Sequence, residues 1–163
     1  MARKVFFSFQ YKADIMRAAQ VRNSWVVTGL RESKPFVDAA EWETVMRKDD
    51  ETIKRWIRDQ MDGTSVTVVL VGASTYDSKW VKFEIEESYK KGKGIVAVRI
   101  HNVRHPQTGA SAPGRNPLEH WQCQENGRTV QFSQKYKTYD YVADNGRENL
   151  AKWIEEAAKA AGR

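Results

Sequence analysis

One stretch constrains the fold more than any other: SVTVVLVG, residues 65–72. Its β-branched side chains favour extended backbone, and an almost unbroken apolar run, rather than an alternating one, requires cover on both faces of a sheet. A parallel sheet packed between helices provides that cover. KVFFSF (4–9) and GIVAVRI (94–100) read as further buried strands, and KPFVDA (34–39) as a brief one whose Pro35 suits an edge or a strand start. Between them the spacing predicts helices. Residues 12–30 place Ile15, Ala18, Ala19, Arg22 and Trp25 or Val26 at helical intervals. Residues 49–63 carry acids in the first turn, Ile53, Trp56, Ile57 and Met61 on one face, and Gly63 as the stop. Another helix follows the 65–72 run, with Asp77 or Ser78 as its N-cap and KKGKG at its end. A closing helix over 146–163 turns Leu150, Trp153, Ile154 and Ala157 inward. The alternation predicts an α/β sandwich of three layers around a mainly parallel sheet.

The rhythm breaks at residue 101. HNVRHPQTGASAPGRNPLEHW is rich in Pro, Gly, Asn and His and reads as an inserted loop, extending to about 127. RTVQFSQKYKTYDYV (128–142) then supplies a final strand or hairpin. Residues 1–163 are expected to form a single domain, because no linker separates two cores.

Composition excludes several classes. The net charge of +6 invites polyanions, but lysines and arginines are interleaved with acids, as in RKDDETIKRWIRD, and no compact basic block is present. Dedicated nucleic-acid binding is not expected; a small anionic ligand suits the modest field equally well. The one cysteine, Cys123, cannot form an internal disulfide, which favours a reducing, cytoplasmic setting. No apolar run approaches the roughly 20 residues that span a bilayer, and MARKVFFSFQYK has too short an apolar core for a signal peptide and reads as a strand.

In an open parallel sheet, ligands collect beyond the carboxyl ends of the strands. That selects Ser8, Phe9, Gln10 and Tyr11 after the first strand, Asp38, Trp42 and Glu43 after the second, and residues 74–80 and Glu84 after the third. No glycine-rich phosphate loop and no G-x-S-x-G elbow is present. His101, His105 and His120 lie in or beside the insertion without carboxylate or cysteine partners at ligand spacing, so no metal site is expected. Asp38 and Glu43 read as caps or surface acids. His101, Asn102 and Asn116 would reach a ligand only if the insertion folds over the site. By position alone Glu84 reads as one more solvated helix acid, and Trp80, four residues before it, as packing.

VFFSFQYKAD near the N-terminus and SKWVKFE, residues 78–84, resemble the two hallmark segments of TIR domains: a first strand ending in Phe-Ser-Phe/Tyr, and an S-x-W-x-x-x-E element opening a helix. The chain more closely resembles the TIR-like branch of the bacterial Thoeris antiphage system, the ThsB-like domains. VRNSWV, VDAAEWE, TSVTVVLVG, WVKFEIEESYKKGKGIVAVRI, NPLEHW and YDYVADNG all have counterparts there in the same order. The resemblance implies a flavodoxin-like/TIR-like sandwich. It implies an enzyme, of a kind that can be silent until triggered, that takes NAD as substrate without a further cofactor, breaks the nicotinamide–ribose bond, and makes a cyclic ADP-ribose-type signal for a separate effector. Carried over residue by residue, it implies Glu84 as the catalytic carboxylate, with Ser8, Phe9 and Tyr11 lining the ribose and nicotinamide pocket and Trp80 walling it. Gln10 stands where many TIR domains carry Arg, Asp14 lies one residue beyond the usual Asp, and DAAEWE is short beside the loop through which animal TIR domains assemble, so self-association stays open. A non-catalytic TIR-like interaction module is the alternative.

Overall fold

The computed structural model describes residues 3–26, 31–32 and 36–163. Its centre is the 65–72 run. Strand β3 (Val66–Val71) is buried along its whole length, and pairs in parallel with β1 (Arg3–Ser8) on one side and β4 (Gly94–Arg99) on the other. β2 (Arg31–Glu32) adds to β1, and β7 (Thr138–Asp140) to β4, giving a five-stranded sheet in the order β2-β1-β3-β4-β7 with every pairing parallel. This is the flavodoxin-like order, in which the chain leaves β1 in one direction and resumes on its other side at β3. The crevice at that reversal is where such folds bind ligands.

Both faces are covered, as the unbroken apolar run requires. Helices α1 (Tyr11–Val26) and α6 (Gly146–Ala160) pack on one face, where Ala18, Val21, Trp25, Leu150, Trp153 and Ile154 meet Val5, Phe7, Val68 and Val98. Against the other face lie α3 (Asp50–Met61) and α4 (Lys79–Lys90). Val81 and Ile85 of α4 meet Val69, Val71, Ile95 and Ala97, while Ile53, Ile57 and Met61 of α3 gather with Phe6 beside β1. Each such buried aliphatic side chain contributes about 1.5–3 kcal/mol relative to exposure.

Three expectations shift. Residues 34 and 35 of the strand expected over 34–39 lie outside the described residues; 36–38 have no regular structure, and Ala39 opens α2 (Ala39–Met46). The reason is Asp38, whose carboxylate accepts the Glu41 N–H at 2.8 Å and so begins a helix. The edge strand is instead Arg31–Glu32, opposite Arg3 and Lys4. In α1 the buried stripe is Asp14, Arg17, Ala18, Val21 and Trp25 rather than one through Ile15, Ala19 and Arg22, because an internal ion pair occupies two core-facing positions. The part of that helix expected over 27–30 lies outside the described residues. In α6 it is Ala158, not Ala157, that joins Leu150, Trp153 and Ile154 as fully buried.

The insertion leaves the sheet after β4 and returns at β7. It carries a 3₁₀ turn (Pro117–His120), a hairpin of β5 (Gln122–Glu125) and β6 (Arg128–Gln131), and a single turn of helix, α5 (Phe132–Lys135). The 128–142 stretch therefore serves both expected ways, as half of a hairpin and as a sheet strand. Leu118, Cys123 and Phe132 pack it against α4.

Candidate active site

Alternation along β1 decides where its side chains point. Val5 and Phe7 join the α1/α6 core, whereas Phe6 faces α3, so Ser8 points to the same side as Phe6. Ser8 is fully buried and its hydroxyl donates to Glu84 Oε1 at 2.6 Å. The contact spans the β1/β3 crevice.

Glu84 is positioned by the start of its helix. Ser78 is the N-cap of α4, accepting the Val81 N–H at 3.3 Å, after a 3₁₀ turn over Thr75–Asp77. The helix thus begins at Lys79, and Glu84 sits in its second turn. Ser88 fixes this part of the helix to the sheet: its hydroxyl donates to the Glu84 carbonyl at 2.7 Å and accepts from Thr67 of β3 at 2.6 Å.

The carboxylate opens into a pocket of about 850 Å³, mouth included. Phe9, Tyr11 and Trp80 line it with Glu84, and Ser8 stands behind the carboxylate, so the five residues singled out from sequence come together. The walls are aromatic. Tyr11 stacks on Trp42 at 4.8 Å and 6°, Phe9 packs on Phe36 at 4.9 Å, and the Tyr11 hydroxyl donates to the Val37 carbonyl at 2.5 Å. Trp80 is half-buried and meets Phe83 edge-on at 6.1 Å.

Glu84 has no salt-bridge partner among the described residues. Although the pocket mouth leaves the residue some solvent contact, the protein packed around its carboxyl group removes most of the water that would stabilise its charge. Desolvation therefore pushes it up to about 8, with the Ser8 hydrogen bond pulling the other way. A carboxyl group so placed is proton-bearing near neutrality and ionises readily when a cation arrives. An aromatic slot ending in such a group suits a flat, positively charged ring joined to a hydroxylated sugar.

Sequence reasoning missed the opposite wall. Met46 of α2 and Trp56, Ile57 and Gln60 of α3 complete the pocket. Trp56 and Ile57 read as core, since apolar periodicity does not distinguish a core face from a pocket wall. A usable signal lay in the tryptophans: Trp42, Trp56 and Trp80, from three helices, all converge here.

Other residues lie elsewhere. Asp38 is a helix cap, and Glu43 pairs with Lys12 on the surface at 3.6 Å. His101 faces Asp140 at 4.0 Å, the His105 ring accepts from the Gln107 N–H at 3.0 Å, and Asn116 caps the 3₁₀ turn and donates to Thr138. The insertion reaches the carboxyl edge of β3, where a Cβ on Gly114 would lie 2.3 Å from the Gly72 carbonyl oxygen, but none of its residues lines the pocket.

With this geometry in hand, similarity to known proteins is specific. A protein from Bacillus cereus (strain MSX-D12), named "Putative cyclic ADP-D-ribose synthase ThsB1", is 28% identical over 94% of this chain and 100% of its own length. The family model described as Thoeris protein ThsB, TIR-like domain, matches residues 6–105, which include the second half of β1, all of the pocket lining but Val5, and Glu84. The chain belongs to this family of ThsB TIR-like domains.

Proposed function

We propose that the pocket binds NAD and that Glu84 promotes cleavage of its nicotinamide–ribose bond to give a cyclic ADP-ribose-type signal. The observation that carries this reading is the desolvated Glu84 carboxylate, held by Ser8 at the end of an aromatic pocket in the β1/β3 crevice. The name of the Bacillus cereus relative agrees with it.

The chemistry follows from charge. As the C1′–N bond breaks, its electron pair goes to the nicotinamide nitrogen and neutralises the ring, so the leaving group needs no proton. Positive charge moves onto the ribose. A fixed carboxylate beside the ribose stabilises that oxocarbenium-like state more than the ground state. The cationic ring also draws the Glu84 proton off as it binds, since a neighbouring positive charge favours the ionised form. Ser8 orients the carboxylate, Phe9 and Tyr11 take ring contacts, and Trp80 closes the wall. A nucleophile on the same dinucleotide then captures C1′ and loses a proton, giving the cyclic product. Capture by water gives linear ADP-ribose instead.

NAD enters as substrate, and this reading requires no resident cofactor. No helix among the described residues is long and apolar enough to cross a membrane, and we place the reaction in the cytoplasm, with the product carrying the signal to a separate effector. A purely structural module would gain nothing from burying a carboxylate without a cation.

The test is incubation of the full chain with NAD, with chromatography for nicotinamide and for cyclic and linear products, using Glu84→Gln as the comparison. Release by the wild-type chain that the variant lacks is expected. Equal release by both, or none from wild type under triggering conditions, overturns the assignment.

A further inference from the structure

The opposite edge of the sheet carries a second cleft, of about 720 Å³ with its mouth, between the end of α3, the turn at 62–65 and the turn after α4. Lys93 forms its floor. The residue is only 6% exposed, and its ammonium donates to the Met61 carbonyl at 2.6 Å and to Thr64 Oγ1 at 2.7 Å. Both acceptors are neutral, and an ammonium has a third N–H to place. Arg58, Lys91 and Arg163 line the same cleft. Against these four cations stand two acids, Asp62 and Glu87, and buried Glu87 is engaged by Arg58 at 3.4 Å. Arg163 is fixed at the lip by donating to the carbonyls of Gly92 (3.1 Å) and Lys91 (2.7 Å). Burial, then Lys91 and Arg163, hold the Lys93 ammonium down to about 8. Buried charge is ordinarily matched by an opposite charge, and here the side chains lining the cleft carry a surplus of two positive charges.

We propose that this cleft binds a phosphate-bearing small molecule. A phosphate group brings close to two negative charges and several acceptor oxygens, which matches a surplus of two charges presented by donors from separate elements. The cleft is distinct from the NAD pocket, since it lies at the amino edge of the strands, although α3 and α4 border both.

Titration of the full chain with inorganic phosphate and with pyrophosphate, followed by backbone amide chemical shifts, tests this. Saturable shifts at residues 61–65 and 91–93 are expected, unchanged in Glu84→Gln and weakened roughly tenfold in Lys93→Met. Because Lys93 is buried, the double variant Lys91→Ala/Arg163→Ala, at two exposed positions, supplies a second comparison with the same expected direction. Shifts that never saturate, that centre on Glu84, or that survive the double variant unchanged overturn the proposal.

Discussion

Asp14 and Glu84 are desolvated carboxylates at the same edge of the same sheet, and only one of them is given a cation. Asp14 meets Arg17 at 3.1 Å, and that guanidinium continues to the carbonyls of Val103 (2.9 Å) and Gly109 (3.0 Å), tying the start of the insertion to α1. Desolvation raises Asp14 too, and there the Arg17 guanidinium opposes the rise without cancelling it. Glu84 meets a serine hydroxyl and aromatic rings, so no cation among the described residues opposes desolvation and only the Ser8 hydrogen bond pulls the other way. Where a carboxylate holds a loop, a cation accompanies it. At Glu84 no such cation is built in, which under the proposed function leaves the counter-charge for the ligand to bring.

The largest expected effect tests the structural half of this contrast. Arg17→Met leaves Asp14 without its cation and strips two loop carbonyls of their donor, which should cost about 3–5 kcal/mol in urea-induced unfolding. A loss below about 1 kcal/mol, the level of a surface pair, would mean that packing alone holds the insertion.

Glu84→Gln is the matching change at the other carboxylate, and its expected effect falls on rate: roughly 10²- to 10³-fold slower release of nicotinamide. Stability should move the other way. The folded carboxyl group titrates near 8 and the unfolded one near 4.5. Between those values the folded state holds the extra proton, so wild-type stability falls as pH rises through the window and is lowest above it. The glutamine variant lacks that slope and should be the more stable protein at alkaline pH. Parallel pH–stability curves for the two proteins would show that Glu84 is not desolvated.

Much of this arrangement was legible in the sequence, for identifiable reasons. A β-branched run fixed β3 as a central strand, and its helical and extended neighbours followed from periodicity. Ser8 and Glu84 were both found, through Phe-Ser-Phe and W-x-x-x-E, but their contact was not, because it joins residues 76 positions apart. Parity on β1 gives the side of the sheet that Ser8 faces, yet not what waits there. The Asp14–Arg17 pair escaped because polar residues at core positions break the apolar pattern that reveals a helix face. Trp56 escaped for the opposite reason: it fits the pattern of core and pocket wall equally well.

A smaller change sharpens the loop-holding side. A Cβ on Gly72 would fall 2.1 Å from Asp14 Oδ2, and that oxygen is held by a carboxylate already committed to Arg17. Gly72→Ala should therefore cost about 1–3 kcal/mol in stability, as overpacking does. The same substitution in an Asp14→Ala background, where the crowding atom is gone, should cost much less; equal costs in both would place the clash elsewhere.

Ser8→Ala addresses the Glu84 carboxylate alone, through its titration rather than through the fold. The Ser8 hydrogen bond is what opposes desolvation of Glu84. A hydrogen bond to a charged group contributes about 1.5–3 kcal/mol, so its loss should move the carboxyl group roughly one to two pH units further up. The dependence of kcat/KM on pH reports the free enzyme, and its rising limb, near 8 in the wild type, should move by that amount to higher pH in the variant. The rising limb of kcat should lie lower than that of kcat/KM in both proteins, because bound nicotinamide supplies the missing positive charge. At neutral pH the variant is then slow chiefly for want of ionised Glu84, and raising the pH should restore much of its rate. A variant equally impaired at every pH would instead assign Ser8 to holding the Glu84 rotamer, leaving desolvation balanced by something other than its hydroxyl.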